Sequence, residues 1–194
     1  MSGAASTLTP MSVEAWAALD EDEPGELVDG HLAEEEVPTW AHELVVSWLI
    51  RVLGAWTIPR GGFVLGSESK LGISARRGRK PDVLVFFSAR ALPARSTSLT
   101  RSPPDIVVEV VTPTPRDQRR DRVEKKADYA TLGVGQYWII DPEARTFEVL
   151  GRTDGGRFVE LLAVSTGVHP VPGCVDLELD VDALWTELDR WPAE

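Results

Sequence analysis

The chain has 194 residues, 43% apolar and 26% charged, which is the composition of an ordinary soluble globular protein with a hydrophobic core. Its one cysteine, Cys174, excludes a disulfide framework and a thiolate metal cluster within a single chain. The N-terminal segment lacks the basic start and apolar centre of a signal peptide, and no apolar run approaches the ~20 residues of a membrane helix. We therefore expect a cytoplasmic protein with no membrane partner.

The charge is unevenly distributed along the chain. The net charge is −11, but residues 51–126 carry 16 bases and 7 acids, a local balance of +9 between two acidic ends. A basic segment can bind phosphate through its local field even when the whole protein is acidic. Solvated surface charges that cluster by chance give the same pattern, so the distribution alone leaves both interpretations open.

The N-terminal part of the chain predicts a short helix, a hairpin and a long helix. The stretch MSVEAWAAL after Thr9-Pro10 predicts a capped helix, and Asp29-Gly30 between two short apolar segments predicts a β-hairpin. From Thr39, apolar residues recur at helical spacing as far as Gly54. The following stretch GGFVLGSESKLGI predicts one strand with polar interruptions.

The central part predicts an α/β sheet. Apolar runs at 81–87 (PDVLVFF) and 105–111 (DIVVEVV) predict two buried strands, and a polar helix over 116–134 separates them from a third strand at 136–141. This order indicates a sheet with a right-handed helical crossover after Val111. A hairpin about Asp154-Gly155-Gly156 and a short helix (VDALWTEL) complete the predicted elements.

Two acids stand at the predicted strands. Asp82 begins one strand, and Glu109 lies inside the next, among residues that predict burial on both faces. If the strands are neighbours, both carboxylates reach the same end of the sheet, where their repulsion raises one pKa or requires a cation. Oxygen ligands suit Mg²⁺ or Mn²⁺, which can activate a water for phosphodiester hydrolysis. The alternative, favoured for two isolated acids, is that Asp82 caps a strand end and Glu109 pairs with an arginine.

The polar helix supplies a lysine. Asp121, Lys125 and Tyr129 fall on one helix face at i, i+4 and i+8. A crossover helix could aim the Lys125 ammonium at the two carboxylates, where it would orient a water or hold a phosphate. The alternative is an exposed Asp121–Lys125 pair worth only ~0.3–0.5 kcal/mol.

These residues together resemble a known family. The stretches RKPDVLVFF and PPDIVVEVVTPTPRDQRRDRVEKKADYATLGVGQYWIIDP, with GELVDGHL upstream, resemble the Uma-type domain-of-unknown-function family of "putative restriction endonucleases", a variant of the PD-(D/E)XK nuclease superfamily. The resemblance covers about residues 10–185. It implies a restriction endonuclease-like α/β fold with a mixed central β-sheet flanked by helices, in one domain over 1–194 with the short terminal helices packed on it.

The resemblance also implies site residues. Asp82 and Glu109 match the family's two acids, Val111 stands at the usual lysine position and offers its carbonyl to the metal, and Lys125 matches a lysine that has moved to the following helix. Supporting candidates are Glu26 of the hairpin, His42 of the long helix and Lys80, although His42 alone is at least as often a core or helix-end histidine. Lys80 stands where the family often has an apolar residue and is a rival to Lys125. The segment RRGRK leading to Asp82 reads as a solvated loop placed to contact phosphate.

The resulting prediction is a Mg²⁺-dependent endonuclease acting on DNA, with a homodimer implied by the resemblance. The catalytic residues would be Asp82, Glu109 and Lys125, with the metal on Asp82, Glu109 and the Val111 carbonyl. Two alternatives remain: a non-catalytic module that keeps the nuclease scaffold to bind nucleic acid or protein, and a hydrolase of a small phosphorylated metabolite.

Overall fold

The structure is a computed structural model that describes residues 10–19, 25–33, 37–112, 114 and 118–192. Within these residues the helices are α1 (Val13–Ala17), α2 (Trp40–Thr57), α3 (Lys126–Leu132) and α4 (Val181–Asp189), with a π-helical turn (Arg120–Lys125) leading into α3 and 3₁₀ turns at Ile58–Arg60 and Ala89–Ala91. The strands are β1 (Glu26–Val28), β2 (His31–Ala33), β3 (Phe63–Leu65), β4 (Lys70–Ser74), β5 (Arg77–Arg79), β6 (Val83–Phe86), β7 (Leu99–Thr100), β8 (Ile106–Val110), β9 (Gln136–Asp141), β10 (Thr146–Arg152), β11 (Phe158–Val164), β12 (Val168–Pro170) and β13 (Glu178–Asp180).

A six-stranded mixed sheet forms the centre of the fold. Its strand order is β11-β10-β9-β8-β6-β3, in which β8 and β9 are parallel and the other neighbours are antiparallel. The chain between β8 and β9 passes through the π-helical turn and α3, as a parallel connection requires. The predicted pair of strands joined by a helical crossover is therefore confirmed.

Each face of this sheet has its own hydrophobic core, because successive side chains of a strand point to opposite faces. Val108 and Val110 of β8 pack with buried residues of α2 and α4. Val107 and Val111 pack on the other side with Tyr129 of α3. A second sheet, of order β2-β1-β5-β4-β7, contributes Leu71 to this second core. Glu109 alternates with Val108 and Val110, so it belongs to the face covered by α3.

Helix α2 is apolar along most of its length. By length and composition alone, the helical segment Trp40–Arg60 could cross a membrane, contrary to the expectation that no apolar run approaches this length. Val45, Leu49 and Leu53 are nevertheless fully buried against the sheet. The core helix of a globular protein can have the same composition, and α2 packs against β3, β6 and β8 through its buried face.

Two predicted elements differ in the structure. The single strand predicted over residues 61–73 is wrong, since β3 pairs with β6 in the large sheet whereas β4 pairs with β5 in the second sheet. The polar residues between β3 and β4 form the turn that lets the chain change sheets. The prediction of a loop over residues 76–80 is also wrong for Arg77–Arg79, which form strand β5. The hairpin about Asp29-Gly30, formed by β1 and β2, is confirmed.

Candidate active site

Antiparallel pairing of β6 with β8 brings the two acids together. Val83 lies opposite Val108, and the same register places Asp82 opposite Glu109. Asp82 Oδ2 also accepts a hydrogen bond from the Val110 backbone N–H at 2.7 Å. The expectation that both acids reach one end of the sheet is therefore met. The hydrogen bond to Val110 also agrees with the alternative interpretation, in which Asp82 caps the end of a strand.

Glu109 is buried, 2% exposed, and both its oxygens have partners. Lys125 Nζ lies 2.8 Å from Oε2, and the Tyr129 hydroxyl donates a short hydrogen bond to Oε1. In the part of the chain that the structure describes, the ion pair of Glu109 is therefore with a lysine, where the alternative interpretation named an arginine. The suggestion of an exposed Asp121–Lys125 pair is wrong too, because Lys125 is 4% exposed and Asp121 is equally buried, with Nζ 3.5 Å from Asp121 Oδ1.

A π-helical turn places Asp121 and Lys125 at the site. The turn spans Arg120–Lys125, and its Asp121 carbonyl oxygen accepts a hydrogen bond from the hydroxyl of Tyr137 at 2.9 Å. Single π-helical turns within helices occur frequently at functional sites, because they change which side chains face a common point. Here Lys125 and Tyr129 contact Glu109, and Asp121 lies beside Lys125, so the three share one face as their spacing predicted. The spacing had left open whether this face meets the carboxylates.

Glu26 joins the same group of charges from the β1–β2 hairpin. Its side chain is buried, and Oε1 lies 3.3 Å from Lys125 Nζ. Oε1 also accepts a hydrogen bond from the Lys80 backbone N–H at 3.0 Å, and Oε2 accepts one from Arg79 at 2.6 Å. We call Glu26, Asp82, Glu109, Asp121 and Lys125 the central cluster.

His42 and Lys80 lie at the edge of the central cluster. His42 Nε2 is 3.2 Å from Asp82 Oδ2, and its Nδ1 is 3.4 Å from Glu43. Burial disfavours the imidazolium, but the hydrogen bond and charge of Asp82, together with Glu43, outweigh burial and raise the pKa of His42. Lys80 Nζ is 2.9 Å from Glu68, and both side chains line the same cavity as Lys125.

A cavity of about 130 Å³ connects these side chains to solvent. Its walls contain both acids, both candidate lysines and the histidine, and the residues that line it are Pro38, His42, Glu43, Ser67, Glu68, Lys80, Asp82, Glu109, Val110, Thr112, Arg120, Asp121 and Lys125. Glu26 lies behind Lys125 and does not line it. The structure thus places Asp82, Glu109, Lys125, His42 and Lys80 around one space.

The central cluster carries more negative than positive charge. Burial and the charges of Asp82 and Asp121 raise the pKa of Glu109 well above its ordinary value, against the opposing effect of Lys125. Burial disfavours the ammonium of Lys125, but the surrounding carboxylates, Glu109 first, outweigh it and raise the pKa of Lys125. Lys125 therefore stays protonated near neutral pH and is a cation rather than a base.

The donor groups fit a hard divalent ion. Asp82 and Glu109 supply two carboxylates at one cavity, and Mg²⁺ typically combines one or two carboxylates with several waters. Val111 directly follows β8 and is not among the residues that line this cavity, so its carbonyl ligand stays a prediction. Among the described residues, no group of three or more His, Cys, Asp or Glu side chains is arranged to hold a metal. Burial first, and then the charges of neighbouring carboxylates, raise the pKa of Glu109, and an ion bound here would neutralise that negative charge.

Sequence reasoning missed two residues that hold this arrangement. Arg79 is fully buried and contacts Glu26 and Asp128, although the segment around it reads as a solvated loop. Tyr129 was placed on the correct helix face, but its hydroxyl was not expected to bind Glu109. The alternation Arg77-Gly78-Arg79 was the available signal, because a strand directs residues i and i+2 to the same face.

Comparison with known proteins gives a consistent result. Residues 12–182 match the model of the Uma2 family, described as "Putative restriction endonuclease". The structure is similar to the crystal structure of a "putative nuclease belonging to DUF820" from Anabaena variabilis, with a TM-score of 0.75 and 19% identity over 92% of this chain and 99% of that one. A weaker likeness, with a TM-score of 0.43 and 12% identity, is to the type IIG restriction endonuclease BpuSI, covering 81% of this chain and 17% of that one. A search of curated proteins found no match.

The match spans most of the chain and includes the whole central cluster, which is carried by β1, the residue before β6, β8 and the π-helical turn. The expected restriction endonuclease-like fold is confirmed by the structural likeness to the Anabaena protein. This chain belongs to the Uma2 family of "putative restriction endonucleases".

Proposed function

We propose that the protein is an endonuclease that hydrolyses phosphodiester bonds of DNA with the help of Mg²⁺ or Mn²⁺. The observation that carries this proposal is the convergence of Asp82, Glu109 and Lys125 on one solvent-connected cavity. Membership in a family of "putative restriction endonucleases" supports a nuclease in general, and the ion and the nucleic acid are our inference.

Asp82, Glu109 and the Val111 carbonyl would hold the ion. When bound, such an ion lowers the pKa of a coordinated water and stabilises the charge that develops on the phosphate. The protein's own part is to fix the two carboxylates on neighbouring strands, where the β6–β8 register leaves them little freedom to move apart.

Lys125 would act as a fixed positive charge. The surrounding carboxylates raise the pKa of Lys125, which favours the protonated form, so the ammonium would orient the attacking water or stabilise the negative charge of the transition state. His42, bound to Asp82, would hold that carboxylate in place. Lys80, which also lines the cavity, would contact the phosphate of the substrate.

Calorimetric titration with Mn²⁺ tests the ion site. We expect one site in the wild type that is lost in both Asp82→Asn and Glu109→Gln. Asp105→Asn is a matched control, because Asp105 accepts a backbone hydrogen bond from Phe87 at the other end of the same strand pair. Binding that survives in both Asp82→Asn and Glu109→Gln would refute the assignment of the ligands.

Cleavage of plasmid DNA with Mg²⁺ tests the activity. We expect nicked or linear product from the wild type and from Asp105→Asn, and none from Asp82→Asn or Lys125→Met. Loss of product on addition of a chelator would support the dependence on the ion. Equal cleavage by the wild type and Asp82→Asn would contradict the proposal.

A second candidate is a non-catalytic binding module on the nuclease scaffold. It is favoured by one observation: Lys125 and Tyr129 occupy both oxygens of Glu109, as in a structural ion pair. This candidate predicts salt-sensitive DNA binding without cleavage under any divalent ion, and the same plasmid assay separates the two. The homodimer and the cytoplasmic location stay predictions.

A further inference from the structure

Arg79 is a fully buried arginine on the short strand β5. Its neighbour Gly78 points to the opposite face, where an added Cβ would lie 2.3 Å from the ring of Trp16. Because residues i and i+2 of a strand share a face, Arg77 and Arg79 both point towards α3. Arg77 is only partly buried, whereas Arg79 lies in the interior.

The guanidinium of Arg79 joins two elements of the fold. One arm donates to Glu26 Oε2 of β1 at 2.6 Å, and Nε donates to Asp128 Oδ2 of α3 at 2.8 Å. The charges of Glu26 and Asp128 outweigh the cost of burial and raise the pKa of Arg79 further above its ordinary value. A planar guanidinium holds two carboxylates in fixed directions, which a lysine ammonium cannot do.

Both partners of Arg79 are connected to residues of the central cluster. The other oxygen of Glu26 lies 3.3 Å from Lys125 Nζ and accepts the backbone N–H of Lys80, two residues before Asp82. Asp128 is the third residue after Lys125 and precedes Tyr129, so fixing it fixes the start of α3. Arg79 touches neither Glu109 nor the cavity directly and reaches Lys125 through these intermediates.

We propose that Arg79 is a positioning residue of the active site: by holding Glu26 and Asp128, it sets the position of the Lys125 ammonium relative to Glu109. The importance of this position for catalysis rests on the proposed nuclease function. The effect of Arg79 on the position of Lys125 can be tested without measuring activity. Glu26 and Glu109 both attract Lys125, at 3.3 and 2.8 Å respectively. Without the planar guanidinium of Arg79, Glu26 is no longer held in one direction, and it draws the ammonium away from Glu109.

The experiment follows the side-chain NMR signal of Lys125, one of four lysines in the chain, assigned by its loss in Lys125→Arg. We compare Arg79→Gln with the matched control Arg77→Gln. Arg77 lies on the same strand face and also contacts Asp128, at 3.0 Å, but its other partner is Asp29 instead of Glu26. The expected result is a shifted Lys125 signal in Arg79→Gln and a wild-type signal in Arg77→Gln, with both variants folded.

An unchanged Lys125 signal in folded Arg79→Gln would overturn the proposal. If Arg79→Gln does not fold, Arg79→Lys is measured in its place, and an unchanged Lys125 signal in that variant would likewise overturn the proposal. A lysine keeps the buried positive charge, but its ammonium cannot hold two carboxylates in fixed directions.

In the cleavage assay, kcat of the Arg79 variant should fall by about tenfold or more at unchanged KM, since small misplacements of a catalytic group cost up to ~100-fold. Unchanged kcat would also overturn the positioning role. Absence of cleavage by the wild type would refute the nuclease function, and the NMR comparison would still decide the position of Lys125.

Discussion

Replacement of Lys125 by methionine tests the charge balance of the central cluster. Methionine has a similar length and keeps the packing of the lysine methylenes, but it removes the ammonium. Three buried carboxylates then lose a cation: Glu109 at 2.8 Å, Glu26 at 3.3 Å and Asp121 at 3.5 Å. Arg79 still neutralises Glu26, and Arg120 still lies 3.4 Å from Asp121. The uncompensated charge therefore falls mainly on Glu109.

The expected loss of stability is large. Removing one partner of a buried ion pair costs about 3–5 kcal/mol in the free energy of unfolding. For a chain of this size, that corresponds to a decrease in Tm of about 6–20 °C, since 1 kcal/mol shifts Tm by roughly 2–4 °C. Thermal and urea unfolding of the metal-free protein, followed by circular dichroism, measure both quantities.

The loss should depend on pH. The pKa of Glu109 is raised in the folded protein, and Lys125 opposes that rise, so Lys125→Met raises the folded-state pKa further. Below the ordinary value of 4.5, Glu109 is protonated in both states and contributes no penalty. As pH rises above that value, Glu109 loses its proton in the unfolded chain but keeps it in the folded protein. The free energy of unfolding therefore falls with pH until the pH exceeds the folded-state pKa of Glu109. The difference from wild type should therefore be larger at about pH 8 than at about pH 5.

Lys126→Met is the matched control, because Lys126 is the adjacent lysine and only partly buried. It should change the free energy of unfolding by no more than about 0.5 kcal/mol. A Lys125→Met variant within about 1 kcal/mol of wild type near pH 8 would refute the reasoning, because a loss that small does not match the removal of a buried cation.

Three further predictions concern individual side chains. Tyr129→Phe removes the buried hydrogen bond to Glu109 and should lower the free energy of unfolding by about 1–3 kcal/mol in urea titrations, whereas an unchanged midpoint would count against that bond. Gly78→Ala places a methyl group against the ring of Trp16 and should cost about 1–3 kcal/mol, and a neutral result would mean that α1 can move away. Burial raises the pKa of Cys174 to about 11, so at about pH 8 its thiol should react with a disulfide reagent roughly 100-fold more slowly in native than in urea-unfolded protein, and equal rates would contradict its burial.

Local sequence patterns determined most of the secondary structure around the site. The apolar runs at 81–87 and 105–111 contain the buried strands β6 and β8. The i, i+4, i+8 spacing placed Asp121, Lys125 and Tyr129 on one face, and the structure shows that this face meets Glu109. These predictions succeeded because strand and helix periodicity depend on the burial of one face, which is visible in the order of residues.

The sequence also identified the two acids and the lysine that the structure brings together. A single carboxylate within a run of valines indicates a buried charge that needs a partner, whatever the fold. The identity of that partner was not fixed in this way, since arginine, lysine and a metal were all compatible with the pattern. The catalytic roles of Asp82, Glu109 and Lys125 stay predictions until cleavage is measured.

Only the tertiary structure decided which charges share the interior. Arg79 reads as part of a basic loop, yet it is buried because β5 lies between the hairpin that carries Glu26 and the helix that carries Asp128. Likewise, residues 61–73 divide between two sheets because β3 and β4 find different partners. Pairing between distant segments leaves no period in the sequence, whereas the burial of a strand or helix face does. The elements and their acids were therefore predictable, and the ion pairs that position them were decided by how those elements pack.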